Sequence, residues 1–167
     1  MNKQLLLATL KGIHFLRGVS QEHLEQIAEV ADCCDFENHE VVFHSGDVAE
    51  GIFLVVFGKL SIELGDVVTD RKRIVTVGPG ELLGWSSLLE HPKLAATARA
   101  LEPTRLVRID SARLAAICED DPEFGYQFFR RTTVALAKRL NATWSQLSNL
   151  QLAHFMPVTA GAGEVDE

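Results

Sequence analysis

The run Gly51-Ile52-Phe53-Leu54-Val55-Val56-Phe57, closed by Gly58, limits the folds open to this chain more than any other stretch. It is rich in β-branched and aromatic residues, and it is apolar at odd and even positions alike. A strand of that kind buries both faces, so it needs a layer on each side. The neighbouring segments agree. Glu40-Val41-Val42-Phe43-His44 is a short β-rich run, followed by the turn signal Gly46-Asp47. Lys59 to Leu64 alternates: Leu60, Ile62 and Leu64 point one way, Lys59, Ser61 and Glu63 the other. Arg73 to Val77 reads as another strand before Gly78-Pro79-Gly80. Thr97–Ala100 and Thr104–Ile109 follow, separated by Glu102-Pro103. Many short strands punctuated by Gly and Pro predict a mainly β fold, an antiparallel β-roll or jelly roll.

Helices flank this β region. Residues 3–11 suit a short helix. Ser20 caps a second, with Glu22 in its first turn and Leu24, Ile27, Ala28 and Ala31 at helical spacing. Asp110 or Ser111 opens a short helix that runs through Cys118. Asp121-Pro122 then places Asp at an N-cap and Pro at the first helical position. No further proline occurs until Pro157, so one long helix is expected from Pro122 to about Leu152. The predicted organisation is one domain over 1–156: N-terminal helices over 1–32, the roll over 35–109 and C-terminal helices over 111–152. Residues 157–167 are read as a disordered acidic tail and a natural C-terminus.

Composition narrows the function. Sixteen Lys and Arg stand against 23 Asp and Glu, a net charge of −7, which disfavours phosphate-driven binding of nucleic acid. No apolar run approaches the ~20 residues of a membrane span. Lys11 interrupts the apolar start, and no cleavage site follows it, so a helix is expected there and not a signal peptide. Cys33, Cys34 and Cys118 form no CxxC pattern, so reduced, inert thiols in the cytoplasm are expected and no metal site. The six histidines lack metalloenzyme spacing, and Ser86 and Ser87 lack a nucleophile elbow. No enzymatic activity is expected.

Several local patterns, in order, resemble the cyclic-nucleotide-binding domains of bacterial catabolite-activator-type regulators, kinase regulatory subunits and gated channels. Phe15-Leu16-Arg17-Gly18-Val19-Ser20 is similar to the family's entry helix and cap. His44-Ser45-Gly46-Asp47 and the Gly51–Leu60 stretch resemble its hairpin. Gly78-Pro79-Gly80-Glu81-Leu82-Leu83-Gly84 resembles the approach to its phosphate-binding cassette. The resemblance implies a cassette in which a Gly-Glu pair receives the ribose. An Arg followed by small residues receives the phosphate, beside backbone N–H groups at a helix start. Gly84 matches the Gly, and Ala95, Ala96 and Thr97 match the small residues. Trp85 stands in place of the Glu and Leu94 in place of the Arg, with Lys93 one residue earlier. The candidate ligand-binding residues are therefore Gly84, Trp85, Ser86, Ser87, Lys93, Leu94, Ala95, Ala96 and Thr97. The ligand would be a cyclic nucleotide or another small anion. Loss of two charged contacts, roughly 1.5–3 kcal/mol each, predicts affinity lower by about two to four decades. The expected function is a non-catalytic sensor or regulatory module with an altered pocket. Its alternatives are a cAMP receptor that uses Lys93, or a ligand-free protein-interaction domain with Trp85 plugging the pocket and Ser86 capping the cassette helix.

On the long helix, Phe129, Thr133, Leu136, Leu140, Thr143, Leu147 and Leu150 recur at alternating four and three, a heptad seam flanked by Ala137 and Trp144. The resemblance implies a homodimer through this helix, and Asn141 and Thr143 as side chains that could touch a base. A regulated protein partner is also expected. The family's transcription factors continue into a helix-turn-helix domain, and only fifteen residues follow Leu152 here. A stand-alone module is therefore expected.

Overall fold

The computed structural model describes residues 2–64, 72–89 and 93–155, with backbone alone for 72–73 and 146–155. The chain begins with α1 (Lys3–Gly12), a 3-10 turn at His14–Leu16, and α2 (Gln21–Glu29). Among the described residues eight strands follow: β1 (Ala31–Phe36), β2 (Val41–Phe43), β3 (Gly51–Phe57), β4 (Leu60–Leu64), β5 (Lys72–Val77), β6 (Leu82–Leu83), β7 (Thr97–Ala100) and β8 (Thr104–Asp110). A second 3-10 turn, Trp85–Leu88, interrupts them. The chain closes with α3 (Ser111–Asp120) and α4 (Pro122–Phe155). The expected tail over 157–167 lies outside the described residues.

The strands form two antiparallel four-stranded sheets, ordered β1-β8-β3-β6 and β2-β7-β4-β5. The double-sided apolar character of β3 has the meaning expected of it. Ile52 and Leu54 face a core shared with Leu10, Ile27, Leu114 and Phe128 of the helices. Val55 joins a second core with Leu60, Val77, Leu83, Ala98 and Leu106, between the sheets. The molecule is thus a β-roll with a helical layer on the outer face of one sheet.

Two local expectations are corrected. Helix α2 stops at Glu29, and Ala31, read as its last core residue, starts β1 instead. Strand β1 pairs along its whole length with β8, from Ala31↔Ile109 to Phe36↔Thr104. Its sequence, ADCCDF, carries little apolar signal, and a partner strand supplies what propensity does not. Asp35 secures the pair through two bonds from Arg105, at 2.6 and 2.9 Å. In β4 the alternation breaks. Ser61 and Glu63 are buried while Leu64 is half exposed, and the pairing with β5 shifts register between Ile62 and Glu63. A bulge of this kind re-aims side chains. The Ser61 hydroxyl donates to Glu63 at 2.6 Å, and Arg99 Nε lies 3.4 Å from the same carboxylate.

Helix α4 is tied to the rest at its start. Asp121 Oδ1 accepts from the Phe124 amide at 3.0 Å, and Oδ2 lies 2.9 Å from His23 Nε2. The His23 ring stacks on Phe124, with centroids 4.3 Å apart. Phe128 meets Phe15 edge-on at 5.5 Å, and Arg131 donates to the carbonyls of Phe15 and Arg17. The Phe124 amide, and then His23, hold the Asp121 carboxyl below its ordinary value of 3.8. A depressed carboxylate stabilises the fold above its unfolded pKa and loses that contribution as pH falls through the folded one. Replacement Asp121→Ala should lower the melting temperature by a few degrees at pH 7. The gap between variant and wild type should persist to about pH 5 and close in stronger acid, which scanning calorimetry across pH would read.

Candidate functional site

The site is built where β6 leaves its sheet. Gly84 follows Leu83 with φ 74°, in the left-handed region, and provides the N-cap of the Trp85–Leu88 turn. A Cβ there would lie 2.9 Å from the Gly51 carbonyl oxygen and 3.0 Å from the Phe53 ring, so both conformation and space require glycine. On the far side, Leu94 is clipped to the β2–β3 connection. Gly46 N donates to Leu94 O at 2.7 Å, and Leu94 N to Asp47 O at 2.9 Å.

Between these segments lies a cavity of about 200 Å³. Its walls are Leu83, Gly84, Trp85 and Ser86 on one side and Leu94, Ala95 and Ala96 on another. Phe43, Ile62, Ile74 and Val75 contribute from the second sheet, and Arg139 and Thr143 from α4. Gly84, Trp85, Ser86, Leu94, Ala95 and Ala96 thus line one cavity.

Three candidates are not in this lining. Thr97 is buried, and its Oγ1 accepts from Ser45 N at 3.0 Å, a turn-holding role. Lys93 is exposed and bridges to Val48. Ser87 Oγ is enclosed, with no hydrogen-bond partner among the described residues. Ser86 is no cap: it sits within the turn, 5% exposed, and Gly84 takes the cap position. Trp85 is half-buried and also packs on the helical core. On α4, Thr143 reaches the cavity whereas Asn141 is exposed and outside its lining.

Arg139 is the charged group among the described lining residues, and the sequence reading passed over it. Its Nη2 donates to Leu82 O at 2.6 Å, which ties α4 to the strand that feeds the cassette. Burial disfavours its charge and lowers its pKa, with Glu81 acting in the opposite direction. The signal was available: Phe128, Thr132, Ala135, Arg139 and Thr143 recur at helical spacing on the roll-facing side of α4, so a cation stands in an inward stripe.

Burial pushes the thiols of Cys33, Cys34 and Cys118 up, which keeps them protonated at neutral pH. No group of metal-ligating side chains occurs among the described residues. No helix of the described residues is long and apolar enough to cross a membrane.

The fold agrees with what the chain is similar to. The family description "cyclic nucleotide-binding domain" matches residues 34–121. The cyclic AMP receptor protein of Thermus thermophilus is 26% identical over 100 residues, 60% of this chain and 46% of that one. A CRP-like cAMP-activated global transcriptional regulator of Mycobacterium tuberculosis is 25% identical over 136 residues, covering 80% of this chain and 58% of its own. The chain therefore spans about half the length of these curated relatives. Among solved structures, a cyclic nucleotide-binding domain from Methylobacillus flagellatus superposes with a TM-score of 0.71 at 18% identity, over 96% of this chain and 85% of its own. The regulatory domain of Toxoplasma gondii PKA, co-crystallised with cAMP, gives 0.67 at 13% identity, over 81% and 50%. The chain belongs to the cyclic nucleotide-binding domain family and carries the regulatory fold shared with catabolite-activator proteins and kinase regulatory subunits.

Gly84→Ala should be destabilised by about 1–3 kcal/mol, the cost of a left-handed non-glycine residue without room for its methyl. Urea denaturation monitored by circular dichroism would measure it.

Proposed function

We propose that this chain is a non-catalytic regulatory module whose cassette pocket has turned away from cAMP and cGMP. One observation carries the reading: the cassette-side wall of the cavity is apolar where a cyclic nucleotide needs charge. Leu94 is 7% exposed and lines the cavity, Trp85 lines it opposite, and Lys93 does not enter it. The volume of about 200 Å³ points the same way, since pockets for organic ligands run to roughly 300–1,000 Å³. A smaller anion than a cyclic nucleotide suits the remaining space and the single Arg139 guanidinium.

Calorimetric titration of cAMP and cGMP at low salt tests this. The wild-type protein should give no heat at micromolar ligand. The double variant Trp85→Glu/Leu94→Arg restores the two missing contacts and should gain about a hundredfold or more in affinity. Micromolar binding by the wild-type chain would refute the reading.

The second part of the proposal is a homodimer through α4. Tyr126, Phe129, Thr133, Ala137, Leu140 and Trp144 follow one another at helical spacing and are all exposed. Leu136 and Thr143, counted in the heptad seam, are only partly exposed, and the side chains of Leu147 and Leu150 lie outside the described residues. Two such stripes together would bury surface that is otherwise left to water. Leu140→Asp, at a half-exposed position, should convert dimer to monomer in sedimentation velocity without loss of helix content. A wild-type chain that remains monomeric at tens of micromolar would remove this part of the proposal.

A further inference from the structure

Among the described residues, a cavity larger than the cassette's lies elsewhere. It lies between α4, the Gly80–Leu82 segment and the turn at His14–Phe15, and measures about 440 Å³. It opens on a face of α4 other than the exposed apolar stripe, because Arg131, Val134, Ala135 and Lys138 are turned well away from Phe129, Thr133 and Leu140 on the helix.

Its charge runs against the rest of the chain. The molecule carries a net −7, yet four of its sixteen Lys and Arg residues line this one cavity: Arg130, Arg131, Lys138 and Arg139. Among the described residues, none of the four enters a salt bridge. The one carboxylate in the lining, Glu81, accepts a bond from Gly78 N at 2.7 Å. Two of the guanidiniums are held in place by backbone carbonyls, not by countercharges. Arg131 Nη1 donates to Phe15 O at 3.1 Å and Arg17 O at 2.7 Å, and Arg139 Nη2 to Leu82 O at 2.6 Å. Each bond uses one nitrogen of a five-donor group, so planar donor edges remain beside the cavity. Oriented guanidiniums with donors to spare are suited to carboxylate and phosphate oxygens. Phe15, Leu82 and Val134 supply apolar wall beside them.

We propose that this cavity is a second binding site, separate from the cassette, for a small organic anion with an apolar body, such as an aryl or short acyl group bearing a phosphate or carboxylate. Its anionic head sits among Arg131, Lys138 and Arg139, and its body lies against Phe15 and Val134. Arg139 borders both cavities, so the ligand engages the same side chain that holds Leu82 at the entrance to the cassette. The site stands whether or not the cassette takes cyclic nucleotides.

Calorimetric titration with 1-naphthyl phosphate, against neutral 1-naphthol, tests the proposal, and amide chemical-shift mapping locates the ligand. The phosphate should bind, the naphthol at least tenfold more weakly, and the shifts should centre on residues 80–82 and 130–139. Charge reversal at the outer rim, Arg130→Glu/Lys138→Glu, should weaken the phosphate by about tenfold or more, the scale of a lost charge-assisted contact. If that variant does not fold, Arg130→Gln/Lys138→Gln gives the same direction with a smaller loss. Equal binding of phosphate and naphthol, unchanged affinity in a folded rim variant, no phosphate binding at all, or shifts centred on residues 94–97 would each overturn the proposal. The last pattern would move the anion into the cassette and leave the cyclic-nucleotide titrations to be judged on their own.

Discussion

A strand that must bury both its faces organises this molecule. Strand β3 directs Ile52 and Leu54 toward the helices and Val55 toward the second sheet. A single sheet backed by water would leave one set exposed, at roughly 1.5–3 kcal/mol for each large side chain. Both layers are therefore required. Leu83, in β6, pairs with Phe53 of β3, and the chain leaves that pair directly into Gly84. The close approach of Gly84 to Gly51 and Phe53 is thus a consequence of the strand's position. The cassette inherits its placement from the core, whatever side chains it then presents.

In the proposed reading, those side chains alter the electrostatics of the pocket and leave its frame in place. Leu94 keeps the backbone bonds that clip the cassette to Gly46 and Asp47 while its side chain contributes no charge. The positive charge in the lining comes from α4 instead, through Arg139. A cation on the cassette would attract a ligand into the roll. A cation on α4 links whatever it binds to the helix that also bears the exposed apolar stripe. If the proposed sites bind, ligand chemistry and helix position share one side chain, and a ligand biases α4 only through a difference in affinity between its positions.

Much of this was legible in residue order. The strands after Glu40, the caps at Ser20, Asp110 and Asp121, and the uninterrupted run beyond Pro122 are local signals, and the chain obeys them. The failures share a cause. β1 reads poorly because ADCCDF takes its strand character from β8, 70 residues away for the Asp35–Arg105 pair. The reversal in β4 depends on a bulge and on Arg99, neither of which alternation can register. Within the site, six of the positions that the family resemblance pointed to line one cavity, whereas Thr97 lies outside it and holds the turn at Ser45. Arg139 stands in the inward stripe that spacing could have shown, but the bond that gives it a role here reaches Leu82, 57 residues earlier, and exists only once the helix has folded back.

The two tryptophans fall at unlike places. Trp85 is half-buried in the cassette wall, against the helical core, whereas Trp144 is 58% exposed on the stripe of α4. Indole emission follows local polarity, so the protein carries two built-in optical probes in different surroundings. Filling the cassette cavity would perturb the first, and covering the stripe would move the second toward the blue. With either residue replaced by phenylalanine, the remaining signal separates pocket occupancy from self-association without an added label.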